Sequence, residues 1–493
     1  MYKDATLSEI ESALNQSWKA FHIYRKMSLK QRADFMRAIG REIDNLGDEL
    51  LYVTQGETNL PEARLRNERT RTIFQLNNYA DACERGDWLE ARIDTAIPDK
   101  NPPKPDLRKM LTALGPVVVF GAANFPYAYS TAGGDTACAF AAGCPVIVKA
   151  HPEHPRTSTL IASAILKAAA NSYMPAGIFT HLYGASFEVG RTLVTQPFVK
   201  AVGFTGSFVG GKQLFDWANQ RKEPIPVFAE MSSINPVFLL PEKMKQSAAE
   251  VAKMFAASIT VGVGQFCTNP GLIIGIDNDD LKFFKNVLSE EIKKTNPGDM
   301  LNPGIFKNYV EKRSAVLSQP DVETIAVSGK DPVVNQGVPT IASASAQAFF
   351  KNHILHREVF GPFSLIIRCK DTGEMTEVAK QIEGQLTATL MATDEDVKKN
   401  PDLIESVKNI CGRLIINGVP TGVEVCLSQQ HGGPFPATTD LRFTAVGADG
   451  IKRFARPICF QNWSNELLPD ELKNENPLKI RRTVNNEITV ANI

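Results

Sequence analysis

The sequence predicts an α/β protein: a doubly wound parallel sheet, a second α/β body, and a protruding arm. Three observations predict it. Between Leu114 and Glu230, short apolar runs alternate with helical runs, the pattern of βαβ units in a parallel sheet. A second alternating region runs from Pro236 to about residue 450. The stretch Ile97-Pro98-Asp99-Lys100-Asn101-Pro102-Pro103 is polar and proline-rich, and reads as an exposed arm or hairpin between larger bodies. At 493 residues the chain holds more than one core, because single domains mostly stay below about 250 residues.

Taken in order, residues 7–52 carry apolar positions at helical spacing, among them Ile10, Leu14, Trp18, Ala20 and Ile23. After the arm come a strand at 116–120, a small-residue helix at 131–142 and a strand at 145–148. A helix at 158–170 precedes a strand at 178–182, and a helix at 186–193 precedes a strand at 201–204. A helix at 208–218 then leads to an apolar strand that ends at Glu230. In such a sheet, ligands bind beyond the carboxyl ends of the strands. Asn124, Lys149, Thr205 and Glu230 all fall at or just past strand ends. In the second region, strands are expected at 271–276, 363–367 and 413–417. The tail from Phe460 is polar and proline-punctuated, and is expected to pack on another subunit or domain. The expected division is 1–235 (with the arm at about 93–112), 236–450 and 451–493.

Composition narrows the function classes. Lys+Arg and Asp+Glu balance at 54 each, so no net field draws the chain to nucleic acid or to anionic lipid. The N-terminal residues lack a signal-peptide pattern, and no apolar run approaches the roughly 18 residues of a membrane span. The eight cysteines are scattered without a C-x-x-C pair, which reads as reduced thiols in a cytoplasm. No H-x-x-x-H pair occurs, so no zinc site is expected.

Chemistry-bearing residues remain. Thr205-Gly206-Ser207 opens a helix, whose free N–H groups and dipole suit a phosphate, and Ser207 also suits a plain N-cap. Gly206 to Lys212 imitates a P-loop, but Gln213 replaces the Ser or Thr that holds magnesium, so that reading is rejected. Lys149 reads either as a ribose or phosphate ligand or as a snorkelling surface lysine. Asn124 is either a turn residue before Phe125-Pro126 or an oxyanion donor. Glu230 is either a satisfied carboxylate or a general base raised by burial. Cys267 is either an inert buried thiol or a nucleophile whose flanking glycines let backbone N–H groups approach a substrate.

Together these residues resemble the aldehyde dehydrogenase superfamily over nearly the whole chain. The pieces are Asn124-Phe125-Pro126, Lys149, Phe204-Thr205-Gly206-Ser207, Glu230, Gly264-Gln265-Phe266-Cys267, Glu358-Val359-Phe360-Gly361-Pro362 and the strand end Asn417-Gly418. Four further stretches are similar to the branch of alpha-ketoglutaric semialdehyde (2,5-dioxopentanoate) dehydrogenases and NADP-linked fatty-aldehyde dehydrogenases. They are Pro105 to Arg108, Ala132 to Thr136, Lys149 to Pro152 and His431 to Pro436. The resemblance implies a Rossmann-type cofactor domain, a catalytic domain and an oligomerisation arm. It implies oxidation of an aldehyde to an acid by NAD or NADP, through a Cys267 thiohemiacetal and thioester. Asn124 and the Cys267 N–H would hold the oxyanion, and Glu230 would activate water.

Lys149 would bind the adenosine ribose, Phe204, Thr205, Gly206 and Ser207 the pyrophosphate side, Glu358 the nicotinamide ribose, and Phe360 the nicotinamide. Pro152 replaces a ribose-gripping glutamate, which makes NADP acceptable beside NAD. Ser232 and Ser233 replace a Gly-Gly, and Arg456 or a neighbour stands for a distal glutamate. The substrate expected is alpha-ketoglutaric semialdehyde, with a fatty or medium-chain aldehyde as the alternative. No metal is expected; a homodimer or homotetramer is. A CoA-acylating enzyme is disfavoured by Glu230, a Cys-His hydrolase using His431 leaves the sheet unexplained, and a non-catalytic relative would have lost the thiol or the base. A thiolate nucleophile further predicts a site that lowers the Cys267 pKa.

Overall fold

The computed structural model describes residues 2–493. Five strands form an all-parallel sheet in the order Phe179–Leu182, Val146–Lys149, Val117–Phe120, Ala201–Thr205, Val227–Glu230. Successive strands step one way from Val117–Phe120 and the other way from Ala201–Thr205, so the order reverses between those two. That reversal opens a crevice at their carboxyl ends. Register sets Phe120 beside both Lys149 and Phe204, and Thr205 beside Glu230, so the expected ligand residues share one edge.

The N-terminal segment is three helices instead of one run: Leu7–Tyr24, Leu29–Asp44 and Gly47–Thr58. Capping boxes start the first two, Thr6 with Glu9 and Ser28 with Gln31, and the second box divides the run. Ile10, Leu14 and Ala20 are buried as expected, whereas Ile23 faces solvent. The long helix Glu62–Arg85 follows and stops at Gly86, whose φ of 73° closes a left-handed C-cap.

The second sheet has seven strands in the order Glu323–Val327, Thr340–Ser345, Phe363–Cys369, Leu272–Ile276, Val237–Leu239, Gln385–Met391, Cys411–Ile416. Only the edge strand Glu323–Val327 is antiparallel. Apolar cores cover both faces, which is why its strands read as continuous apolar runs. The chain then returns to the first sheet before residue 451. The Met231 N–H donates to the Ala437 carbonyl at 2.8 Å, the Thr439 N–H to the Ala229 carbonyl at 3.1 Å, and Glu230 bridges Thr438.

The arm is the strand pair Arg92–Asp94 and Leu107–Ala113, closed by a bridge between Ile97 and Lys104. Within this chain the tail packs on the arm. Ala455–Gln461 pairs antiparallel with Leu107–Ala113, and Arg482–Val484 pairs parallel with Arg92–Asp94. The polar composition fits a small, one-sided sheet.

One buried ion pair ties the returning chain to the first sheet. The Arg453 guanidinium meets Asp135 of helix Gly134–Ala142 at 2.7 Å, with both side chains largely buried. Asp135→Asn leaves that guanidinium uncompensated and is expected to cost about 3–5 kcal/mol. Urea unfolding followed by fluorescence checks this; a loss below about 1 kcal/mol would show that water already screens the pair.

Candidate active site

One cavity of about 460 Å³ takes its lining from the carboxyl edge of the first sheet and from loops of the second region. Asn124, Lys149, Phe204, Thr205, Gly206, Ser207, Glu230, Cys267, Glu358 and Phe360 all line it. The structure therefore brings together these ten of the residues the sequence singled out, and leaves Asn417 and Arg456 outside the cavity.

Cys267 sits on a loop that needs unusual backbone. Gly262, Val263 and Gly264 have φ of 56°, 58° and 62°. A side chain at Gly264 would collide with the Gly361 carbonyl, so glycine is required there. Val263 is β-branched in the left-handed region, a conformation that costs on the order of 1–3 kcal/mol. A buried polar network holds the loop in place. Asn235 Nδ2 donates to the Cys267 and Asn269 carbonyls, both at 2.9 Å, and Asn269 Nδ2 donates to the Gly361 carbonyl at 3.2 Å. Beneath them, Gln385 Oε1 accepts from the Ser233 hydroxyl and from the Ile234 and Asn235 N–H groups.

Around the thiol, the Asn124 amide donates to the Gln265 carbonyl at 3.0 Å, which leaves its second N–H unspent. The Cys267 N–H donates to no group among the described residues. Two donors thus flank the sulfur where a carbonyl oxygen would develop charge. His431 is the residue whose place sequence reading did not find. Its Nε2 lies 3.6 Å from Cys267 Sγ and 3.0 Å from Glu230 Oε1, and its backbone N–H is held by Thr444 Oγ1 at 2.9 Å. A proton on that nitrogen is within reach of both partners. In the sequence its H-G-G-P-F-P surroundings and the disfavoured Cys-His hydrolase reading marked it, but the contact with Glu230 spans segments far apart in the chain. Glu230 is buried, with its second oxygen unpartnered.

Glu230, Cys267 and His431 place their ligand-type atoms within 4.8 Å of one another, a set that would also suit a thiophilic cation such as zinc. The absence of H-x-x-x-H said nothing about such a trio, because the three come from separate segments.

Electrostatics correct the expected low thiol pKa. Burial pushes the Cys267 thiol well above its usual value, Glu230 and Glu358 push it the same way, and Arg71 pulls only partly back. Glu358 is itself raised by burial, against the pull of Lys312 and of hydrogen bonds from Ser232 and Ser233. Desolvation lowers Lys149 to about 8, with Asp4 a weak opposing charge.

At the cofactor edge, Ser207 caps helix Phe208–Asn219 through the Gly210 N–H at 3.2 Å. It is an N-cap, and the helix still points its N-terminus at the cavity. A Cβ at Gly206 would come within 2.7 Å of the Phe204 ring, so that turn must stay bare. Lys212, of the false P-loop, instead pairs with Asp216 at 2.7 Å. Arg456 is exposed on strand Ala455–Gln461 of the arm sheet and takes no part in the cavity. Asn417 ends its strand at φ 54° and exchanges hydrogen bonds with Ala392, a structural duty.

Comparison with known proteins agrees with this geometry. The model of the aldehyde dehydrogenase family matches residues 1–434. The chain is 47% identical over 479 residues to alpha-ketoglutaric semialdehyde dehydrogenase 2 of Azospirillum brasilense, covering 97% of this chain and 91% of the relative. It is 44% identical over 491 residues to the alpha-ketoglutaric semialdehyde dehydrogenase of Acinetobacter baylyi, covering 99% and 93%. Among solved structures, 3,6-anhydro-L-galactose dehydrogenase in complex with NAP superposes with a TM-score of 0.79 at 19% identity, covering 93% of this chain and 92% of that one. A 1-pyrroline-5-carboxylate dehydrogenase gives 0.78 at 19%, covering 93% and 86%.

A thiol raised by two carboxylates should be sluggish in the free protein. Iodoacetamide labelling of Cys267, followed by mass spectrometry, is expected to keep accelerating through the alkaline range. A plateau reached by neutral pH would mean the resting site holds a thiolate.

Proposed function

The chain belongs to the aldehyde dehydrogenase family and is an NAD(P)-dependent oxidoreductase acting on aldehydes; from that premise we propose that it oxidises alpha-ketoglutaric semialdehyde, with Cys267 as nucleophile. The observation that carries the reading is the meeting of Asn124, Glu230, Cys267 and His431 at one end of a cavity whose other end is built for a dinucleotide.

The residues fit the cofactor. The N-terminus of helix Phe208–Asn219, with Thr205, Gly206 and Ser207, suits the pyrophosphate. Lys149, which forms no ion pair, suits the adenosine ribose and a phosphate on it. Glu358 suits the other ribose, and Phe204 and Phe360 supply apolar walls. The nicotinamide, when bound, supplies the hydride acceptor.

The protein's own groups do the rest. The thiol proton passes to Glu230, the carboxylate in reach, and from there to solvent, and the sulfur attacks the aldehyde carbon. The carbonyl oxygen becomes an oxyanion held by the Asn124 amide and the Cys267 N–H. Such a donor typically contributes about 10²–10³ in rate. Loss of hydride from that carbon leaves a thioester on Cys267. Glu230 then takes a proton from water, the hydroxide adds to the thioester, and the carboxylic acid departs as the sulfur recovers its proton. His431 holds the Glu230 carboxylate throughout and offers it a proton partner in place of the missing distal glutamate.

The proposal extends to cofactor choice and assembly. NADP is accepted beside NAD, because Pro152 removes the ribose-gripping carboxylate while Lys149 and His151 remain on the wall. Glu153 follows on the exposed rim, where water screens it. The first 235 residues, with the arm at about 93–112, act as cofactor domain, 236–450 as catalytic domain, and 451–493 as the return to the arm. A homodimer or homotetramer covers the edge strands, which expose Leu414, Ile416, Ile488 and Val490. Among the described residues no helix is long and apolar enough to cross a membrane, and eight free cysteines fit a reducing cytoplasm.

Steady-state rates for a panel of aldehydes with NAD and NADP in parallel test the reading. The semialdehyde should give the highest kcat/KM, and Cys267→Ala should abolish cofactor reduction; persistent reduction by that variant would sink the mechanism. The pH dependence of the cofactor KM tests Lys149. The charged lysine is present below about 8 and lost above it. The KM for NADP should therefore rise above about pH 8 more steeply than that for NAD, and Lys149→Met should flatten the difference.

A further inference from the structure

Beyond the thiol, on the side away from the cofactor edge, lies a second constellation that the reaction steps do not use. Helix Glu62–Arg85 places Arg64, Glu68 and Arg71 at i, i+4 and i+7, hence on one face. That face packs on the loop running from Asn124 to Tyr129. The Arg64 guanidinium lies 4.9 Å from the centres of both the Phe125 and Phe266 rings, and donates to the Asn124 carbonyl at 2.6 Å. The Arg71 guanidinium stands 5.3 Å over the Tyr129 ring. Its Nη2 makes only two long contacts, 3.4 Å to the Tyr129 hydroxyl and 3.3 Å to the Val423 carbonyl.

Neither arginine has a carboxylate within ion-pair distance among the described residues, and each has a buried Nη1 with no partner. The nearest acid, Glu68, spends one oxygen on the Tyr127 and Ala128 N–H groups. A guanidinium held out of water without a counter-ion is costly, and a ligand anion would offset that cost. The chain of contacts from the sulfur is short. His431 touches Cys267, the Tyr129 ring centre is 6.0 Å from that of His431, and Arg71 lies over Tyr129.

We propose that Arg71 Nη1 and the Tyr129 hydroxyl bind the carboxylate end of a short oxo acid whose aldehyde end lies on Cys267. This rests on the substrate reading above and names the group that reads the acid. Arg71 and Tyr129 are near enough to Cys267 for their charges to act on one another. Arg413 is the positioning partner. It donates to the Pro420 and Gly422 carbonyls at 2.6 and 2.9 Å, while Arg71 donates to Val423, so both arginines grip the same loop. Arg64 serves the chemistry end, because it holds the backbone of Asn124.

The test compares kcat/KM for the five-carbon oxo-acid aldehyde with that for pentanal, in wild type, Arg71→Gln, Arg71→Lys and Arg64→Gln. Removing one partner of a buried charge pair commonly lowers affinity by about 100-fold or more. Arg71→Gln should therefore cut the oxo-acid to pentanal ratio by about 100-fold, chiefly through KM, with Arg71→Lys recovering part of it. Arg64→Gln should lower both substrates together, chiefly in kcat. If Arg71→Gln leaves the ratio intact while wild type prefers the oxo acid, the assignment of Arg71 is overturned and the substrate reading stands. If wild type itself shows no preference for the oxo acid, both fall.

Discussion

One ionisable sulfur held beside a carboxylate is the constraint around which this site is organised. A thiolate at Cys267 and a carboxylate at Glu230 repel, and Glu358 adds a third negative centre. His431 Nε2 touches both. The resting state therefore keeps the sulfur protonated, which shields it from oxidation, since oxidation follows thiolate character. In the reaction proposed above, the same crowding serves the second half: an acylated sulfur carries no charge, and the Glu230 carboxylate is free of its repulsion.

Such a site works only if the sulfur and the carboxylate stay in register, and they come from different sheets. Glu230 ends a strand of the first sheet, whereas the Cys267 loop leads into Leu272–Ile276 of the second. Ser233 and Asn235 follow Glu230 directly, and their side chains meet Gln385 and Thr387 of the second sheet and the carbonyl of Cys267. Glu230, the Asn235 clamp and Cys267 are thus joined through a short run of chain and one buried network. The strained Val263 persists because this network and the Gly264 to Gly361 contact over-determine the loop.

The cofactor edge was legible because its signals are local: strand ends, a glycine turn and a helix start lie within a few residues of each other. Cys267 and Glu230 were legible through their motifs, and both line the one cavity. What stayed hidden was non-local. Arg71 and His431 are 360 residues apart by their numbering, and nothing near either marks a shared wall. The polarity of the tail hid its pairing with its own arm, because a small sheet exposed on one side is as polar as a surface loop. The expected low thiol pKa failed for a related reason. Glycines beside Cys267 suggest an approachable backbone, but burial first, then the Glu230 carboxylate and, less, Glu358 from a distant loop decide the thiol's state.

The residues proposed to carry the chemistry and those proposed to hold the far end of the substrate sit on separate elements. Asn124, Glu230 and Cys267 hang from sheet edges or from loops pinned by buried polar networks, where a shift of one ångström would uncouple them. Arg71, Tyr129 and Val423 belong to a helix flank and two loops, none of which contributes a strand to either large sheet. Substitutions there change what is bound with little strain on the catalytic loop. His431 joins the two groups, since its Nε2 meets Cys267 and Glu230 while its ring lies 6.0 Å from that of Tyr129.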